Sequence, residues 1–295
     1  MASTQTTTIP NLWFNIPMPS LILIRGGGDL ATGVAIRLLR AGLRVVVTEL
    51  PQPLAVRRTV SFAEAIYSGE ISVEGITARR VDDPSDSLRI LSTLGKQQVP
   101  VLVDPGCTSA KLLHPAVIVD GRMTKRPPEP IGYSPALYIG LGPGFEAGVN
   151  CQAVIETRRG HTLGRVFWRG GPDPDTGKPD GDPARLLRAP CDGVLVAHVN
   201  IGEHIEKSQV IAEIDDGQLT TDHRPSSVVH SPLPGILRGL LHPGLTVTRG
   251  LKIGDIDPRD DPRLCQMVSD KSLSIGGGVL EAILSRPDVR SQLWT

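Results

Sequence analysis

Aromatic residues make up only 3% of the 295-residue chain, too few for the stacking platforms on which single-stranded nucleic acids are held. An excess of one charge is missing too. Lys plus Arg is 31 and Asp plus Glu is 31, so the footprint of a phosphate-neutralising surface is absent and nucleic acid is not expected as a partner. The cysteines, Cys107, Cys151, Cys191 and Cys265, form no CxxC or zinc-ribbon spacing, which excludes a disulfide framework and fits thiols in a reducing compartment. His114, His198, His204, His223, His230 and His242 show no HxxxH, HxH or HExxH pattern, so no metal site is expected. No run approaches the ~20 apolar residues of a membrane span. Residues 1–20 lack Lys and Arg and are broken by Pro10, Pro17 and Pro19, which is wrong for a secretory or transit peptide. The expectation is a cytoplasmic protein without membrane association.

What is present is a globular composition, 40% hydrophobic, long enough for two domains. Gly 32 and Pro 26 point to many tight turns and short strands. Residues 21–24 read as a buried strand entering a glycine turn, and the helix-period positions Val34, Ile36, Leu38 and Leu39 run to a stop at Gly42. Residues 44–48 form a β-branched strand ending at Glu49, which completes a βαβ unit. Ser61 and Glu64 match a capping box. Strands over 76–81 and 99–103 flank a helix over 84–94, and further strand-like runs fall at 116–119, 136–139, 153–157 and 163–168. This alternation predicts a Rossmann-like parallel sheet over 20–169. The Gly-, Pro- and Asp-rich stretch 170–183 reads as a linker.

Beyond the linker the chain repeats itself. Pro190, Gly193, Gly202, Ile205 and Asp215 recur as Pro232, Gly235, Gly244, Val247 and Asp257, a constant shift of 42 residues. The two copies are expected to pack as a small pseudo-symmetric β domain over 184–259. The pattern resembles the biotinyl/lipoyl-type hammerhead, yet 209–251 contains no lysine, which excludes a swinging-arm carrier. Residues 266–290 read as a C-terminal helical segment docking on the first domain, with Gly276, Gly277 and Gly278 as a glycine turn before a helix. The fold class expected is therefore α/β, with a small all-β second domain.

Gly26-x-Gly28-x-x-Ala31 follows a strand and opens a helix, and Glu49 stands about twenty residues on, as a dinucleotide fingerprint requires. Glycines there let the backbone approach a pyrophosphate, and a helix N-terminus offers unpaired N–H groups. Asp29 is discordant: it either caps the helix or repels phosphate. The alternative to ligand binding is a glycine turn kept for packing. The candidate cofactor-binding set is Gly26, Gly27, Gly28, Asp29, Thr32, Glu49, Gly142 and Gly144, the last two from a second glycine loop over 140–144. Glu156 and His161 are candidates for an acid–base pair, with Arg158 and Arg159 as an anion clamp, against a solvated turn. Cys107 is either a thiol activated near a helix N-terminus or a buried inert one. Residues 252–259 carry more charge than packing demands, marking an interdomain surface or a polar strand end.

The strings at 25–33, 53–58, 140–145, 156–165, 252–259 and 275–282 together resemble the YqeB-type accessory proteins of selenium-dependent molybdenum hydroxylase systems, from about Leu21 to Leu284. That family is loosely akin to the xanthine dehydrogenase accessory proteins. The segment 123–130 departs from its regularity. The resemblance implies a maturation role and a molybdenum hydroxylase or its maturation machinery as partner; a homo-oligomer is one arrangement, which the sequence does not decide. The ligands in view are NAD(P), another nucleotide or a molybdenum cofactor dinucleotide. Two further readings are an NAD(P)-dependent oxidoreductase and a non-catalytic docking scaffold.

Overall fold

The computed structural model describes residues 20–177, 182–215 and 227–294. The leader reading over residues 1–19, the linker positions 178–181 and His223 lie outside the described residues.

The first unit runs β1 (Ile22–Arg25), α1 (Asp29–Arg40), β2 (Val45–Glu49), α2 (Ala65–Ser68), β3 (Glu70–Val73), β4 (Ile76–Val81), α3 (Ser87–Gly95), β5 (Val99–Val103), α4 (Ala110–Leu113), β6 (Val117–Asp120), β7 (Leu137–Leu141), β8 (Ala153–Ile155) and β9 (Val166–Phe167). These strands form one nine-stranded sheet in the order β3-β4-β5-β2-β1-β6-β7-β8-β9. The β-branched runs of β1 and β2 are almost wholly buried, as a strand covered on both faces must be.

The second unit runs β10 (Leu186–Arg188), β11 (Gly193–Ala197), β12 (His204–Ile205), β13 (Val210–Asp215), β14 (Ser227–His230), β15 (Gly235–Leu240), β16 (Thr246–Val247) and β17 (Lys252–Asp257). They make two four-stranded antiparallel sheets, β10-β17-β15-β12 and β14-β13-β11-β16. The repeat explains this pairing: β11, β12 and β13 begin at 193, 204 and 210, and β15, β16 and β17 at 235, 246 and 252. Each sheet takes strands from both copies, because β12 crosses to β15 and β16 crosses to β11. The shared core is symmetric too, pairing Leu195 with Leu237, Ile205 with Val247, Ile211 with Ile253 and Ile214 with Ile256, all buried.

The helices α5 (Asp270–Leu284) and α6 (Pro287–Leu293) close the chain. α5 lies on α1 at a distance only glycine permits. A Cβ on Gly33 would fall 2.4 Å from Ser272 Cβ, and one on Gly276 would fall 3.0 Å from the Gly33 carbonyl oxygen.

The fold expected from the sequence is corrected by this topology. The sheet is mixed rather than parallel, since β3 pairs antiparallel with β4 and β9 antiparallel with β8. The regular strand–helix alternation also stops, because no helix connects β6 to β7 or β7 to β8 and the C-terminal α5 packs beside β7, β8 and β9 instead. In the second unit the hammerhead expectation gives way to two four-stranded antiparallel sheets, with β10 and β14 each at one sheet edge. The capping box fails as well. The Ser61 hydroxyl donates to the Arg57 carbonyl oxygen at 2.8 Å, and a 3-10 turn follows where a helix start is expected. The glycine triplet 276–278 sits in the middle of α5, not before a helix. Among the described residues no helix is long and apolar enough to cross a membrane.

Candidate functional site

The C-terminal ends of the central parallel strands carry the loops from which α/β proteins build ligand sites. β1 ends at Arg25 and the chain turns through Gly26, whose φ of +86° and 3.2 Å approach to Arg122 suit glycine alone. α1 then starts with Gly28 as its N-cap and no side chain capping it. The first-turn N–H groups are left without helical partners. A Cβ on Gly28 would meet nothing within 4 Å, so the open side of the loop is free space.

That space is a cavity of about 1300 Å³ between the sheet's C-terminal edge and the second unit. Gly26, Gly28, Asp29 and Glu49 line it. Glu49 accepts hydrogen bonds from the N–H groups of Gly27 and Leu50, both at 2.7 Å, and so holds the glycine loop against β2. Burial pushes its carboxyl pKa up, and the two backbone bonds oppose that shift. Asp29 pairs with Arg57 at 3.4 Å, so its charge within the loop is offset by a neighbour distant in sequence.

Gly27, Thr32, Gly142 and Gly144 do not line the cavity. Thr32 is buried, donating to the Gly27 carbonyl oxygen and accepting from the Phe62 N–H, and it fixes the loop from behind. The second glycine loop is packed shut: a Cβ on Gly142 would fall 2.3 Å from Thr157 Oγ1, and one on Gly144 would fall 2.5 Å from the Arg126 carbonyl oxygen. Glu156 is buried and accepts from the N–H groups of Thr157, Arg158 and Asp173, each at 2.7 Å, which makes it a loop organiser. His161 is exposed and, like Glu156, lies off the cavity wall. Cys107 is buried and its thiol is pushed up to about 11 by burial, the opposite of activation. Arg159 lines the cavity and pairs with Asp270.

The rest of the wall mixes cations and carboxylates, with cations in slight excess. Arg25 and Arg122 flank the buried Asp120, at 3.0 and 2.8 Å, with the Tyr138 hydroxyl donating to the same carboxylate at 2.9 Å. From the second unit come Arg238 on β15, Lys252 and Asp255 on β17, and Arg259 beyond it. Buried Asp255 is shared by Arg185, Arg238 and Lys252; burial resists its ionisation, but the three cations hold its pKa below the usual carboxylate range. The lining as a whole offers nine Lys and Arg against seven Asp and Glu. These arginines escape a periodicity reading because no local pattern demands them; the charge density of 252–259 is the one sequence signal that pointed to them.

The two units meet tightly at this edge. Arg58 donates to the Leu240 carbonyl oxygen at 3.2 Å and the His242 ring stacks on Tyr67 at 4.1 Å, while the Thr59 hydroxyl donates at 2.6 Å to the carbonyl oxygen of Cys265, in the segment between β17 and α5. Gly239 allows the approach, since a Cβ there would lie 2.9 Å from the Val56 carbonyl oxygen.

Asp257 gives this edge an acid-sensitive element. Its carboxylate accepts from the Arg259 side chain, which, against burial and with help from Arg238, holds its pKa down to about 2 from 3.8. A folded-state pKa below the unfolded one adds stability above the unfolded value that is lost as pH falls toward the folded one. Stability is therefore expected to decline between about pH 4 and pH 2, and Asp257→Asn to flatten that decline, as read from urea unfolding at stepped pH.

No family model matches the chain. It is 40% identical over 268 residues, 90% of its length, to the uncharacterized protein YqeB of Escherichia coli (strain K12), and it covers 47% of that protein, so it spans about half the length of the curated relative it matches. Among solved structures it is similar to an aspartoacylase family protein from Mesorhizobium loti, at 10% identity and a TM-score of 0.29 over 81% of this chain and 84% of that one. It is also similar to a succinylglutamate desuccinylase from Silicibacter sp. TM1040, at 11% identity and a TM-score of 0.27 over 82% and 85%. In sequence, the chain is YqeB-like over nine-tenths of its length.

Proposed function

We propose that this chain is an accessory protein of a molybdenum hydroxylase maturation system that binds a nucleotide or a dinucleotide-type cofactor in the cavity between its two units. The observation that carries the proposal is the composition of that cavity: an uncapped helix start behind an open glycine on one wall and arginines of the second unit on the other. Phosphates suit such a pairing, because backbone N–H groups and guanidiniums both donate to them. At about 1300 Å³ the cavity exceeds the usual 300–1,000 Å³ of small-ligand sites, leaving room for a dinucleotide. Glu49 keeps a second lone pair on each oxygen for ribose hydroxyls. The maturation role and the molybdenum hydroxylase partner draw on the motif strings shared with the YqeB-type accessory proteins. An oxidoreductase reading lacks its acid–base pair in the cavity, since Glu156 and His161 lie elsewhere.

A thermal-shift screen of the purified chain against NAD, NADP, ATP, CTP, GTP and a pterin-dinucleotide cofactor tests the reading. A ligand at a hundred times its Kd stabilises by roughly 2.7 kcal/mol. A saturable rise in Tm with at least one of these compounds is expected, and the absence of any shift at millimolar concentrations contradicts the proposal.

A further inference from the structure

We infer that Arg57 and Arg238 form a phosphate clamp shared between the two units, so that the ligand is a phosphorylated molecule gripped by both guanidiniums. The inference rests on the nucleotide-binding reading of the same cavity and names the group by which the second unit takes part. Arg57 lies between β2 and α2 and Arg238 on β15, and both line the cavity. Their side chains are only 10% and 18% exposed, and in each the Nε–H is buried with no hydrogen-bond partner. An unpaired buried donor is costly, and more so on a charged group. The two guanidiniums also repel each other: burial lowers the Arg57 pKa most, Asp29 opposes it, and the Arg238 charge lowers it further.

Asp29 outweighs the Arg238 charge at Arg57, and Asp255 adds to it, but no carboxylate reaches either Nε–H. Asp255 divides its charge among three cations, and Asp257 is shared by Arg238 and Arg259. The fold does not require the charges either. In the first copy of the repeat, 42 positions earlier, Val196 and Val210 stand in place of Arg238 and Lys252, and both valines are exposed. The same strand positions thus carry apolar side chains where they do not face the cavity wall and cations where they do. A phosphate dianion between two planar guanidinium forks accepts the spare N–H groups once each side chain turns from its present partners, Asp29, Leu264 and Met267 for Arg57 and Asp255 and Asp257 for Arg238. The Arg58–Leu240 bond and the Tyr67–His242 stack already join the units, so both arginines stand on one cavity wall without any movement of the units.

Inorganic pyrophosphate is the probe, titrated calorimetrically into the whole chain. Wild-type protein is expected to bind it saturably, and Arg238→Gln to weaken binding at least about tenfold, a loss of about 1.4 kcal/mol. Arg238→Lys keeps the charge beside Asp255 and should recover only part of that loss; it also carries the test if the glutamine variant does not fold, as urea unfolding will show. No binding by the wild type, unchanged affinity in Arg238→Gln, or full recovery by lysine each overturns the clamp. The two readings fail separately. Nucleotide binding that depends on Gly28 but not on Arg238 sinks the clamp alone, whereas pyrophosphate binding through Arg238 with no tighter binding of any nucleotide sinks the nucleotide reading alone.

Discussion

Gly28→Val is expected to fold normally and to bind nucleotide about a hundredfold more weakly than the wild type. Gly28 has φ −62° and ψ 176°, which any L-residue adopts, and its Cβ would meet nothing within 4 Å. Stability should fall by no more than about 1 kcal/mol, the difference between a tolerated and a poor N-cap residue. The isopropyl group would instead fill the space in front of the first turn of α1, where phosphate oxygens must come within hydrogen-bond distance of the backbone. Losing one or two charge-assisted bonds there is worth roughly 3 kcal/mol, about two decades in Kd. Paired measurements of urea midpoint and nucleotide Kd separate the two effects. A folded variant with wild-type affinity would remove the glycine loop from the ligand site.

The largest stability effect is expected from two neighbouring glycines of α5 that ought to respond in opposite directions. A Cβ on Gly278 would lie 2.1 Å from the Gly164 carbonyl oxygen and 3.0 Å from Ile155 Cγ2, so Gly278→Ala forces the helix off the sheet. Overpacking of this kind costs roughly 1–3 kcal/mol, and a backbone obstacle that cannot rotate away places this case at the upper end. Gly277 has nothing within 4 Å of its would-be Cβ, so Gly277→Ala is expected to stabilise by about 0.5–1 kcal/mol through helix propensity. Denaturant unfolding with unchanged m-values reads both. Equal effects of the two substitutions would show that α5 does not pack as described.

The elements that were legible in the sequence are those whose signal is local. The apolar run into β1, the glycine turn, the period of α1 and the β-branched β2 each state their own structure, and the 42-residue repeat gives the strand pairs of the second unit. β3 was illegible because its exposed face carries Glu70 and Ser72, and because its hairpin turns through Glu74 and Gly75 at φ +47° and +82°. A turn of that kind ordinarily advertises itself with Asn or Asp at the first position; here the Glu74 carboxylate is engaged by Arg40 and by the Val268 N–H instead. That hairpin and the short β9 make the sheet mixed, which no alternation count reveals.

The candidate site divides in the same way. Gly26, Gly28 and Glu49 are adjacent through one βαβ unit, so a spacing rule finds them. Arg57 and Arg238 line one cavity only because two units pack through Gly239 and Leu240, and no pattern within either segment encodes that. Glu156 misled for a related reason: its position at a strand end looked chemical, but three backbone N–H groups occupy its carboxylate.

The most direct test of nucleotide binding at the glycine loop is a ¹⁵N TROSY titration of the whole chain with the tightest-binding nucleotide. Saturable shifts are expected, concentrated in the amides of Gly26, Gly28, Asp29 and Leu30, together with residues of β17 across the cavity. Shifts confined to other surfaces, or a spectrum unchanged at millimolar nucleotide, would contradict it.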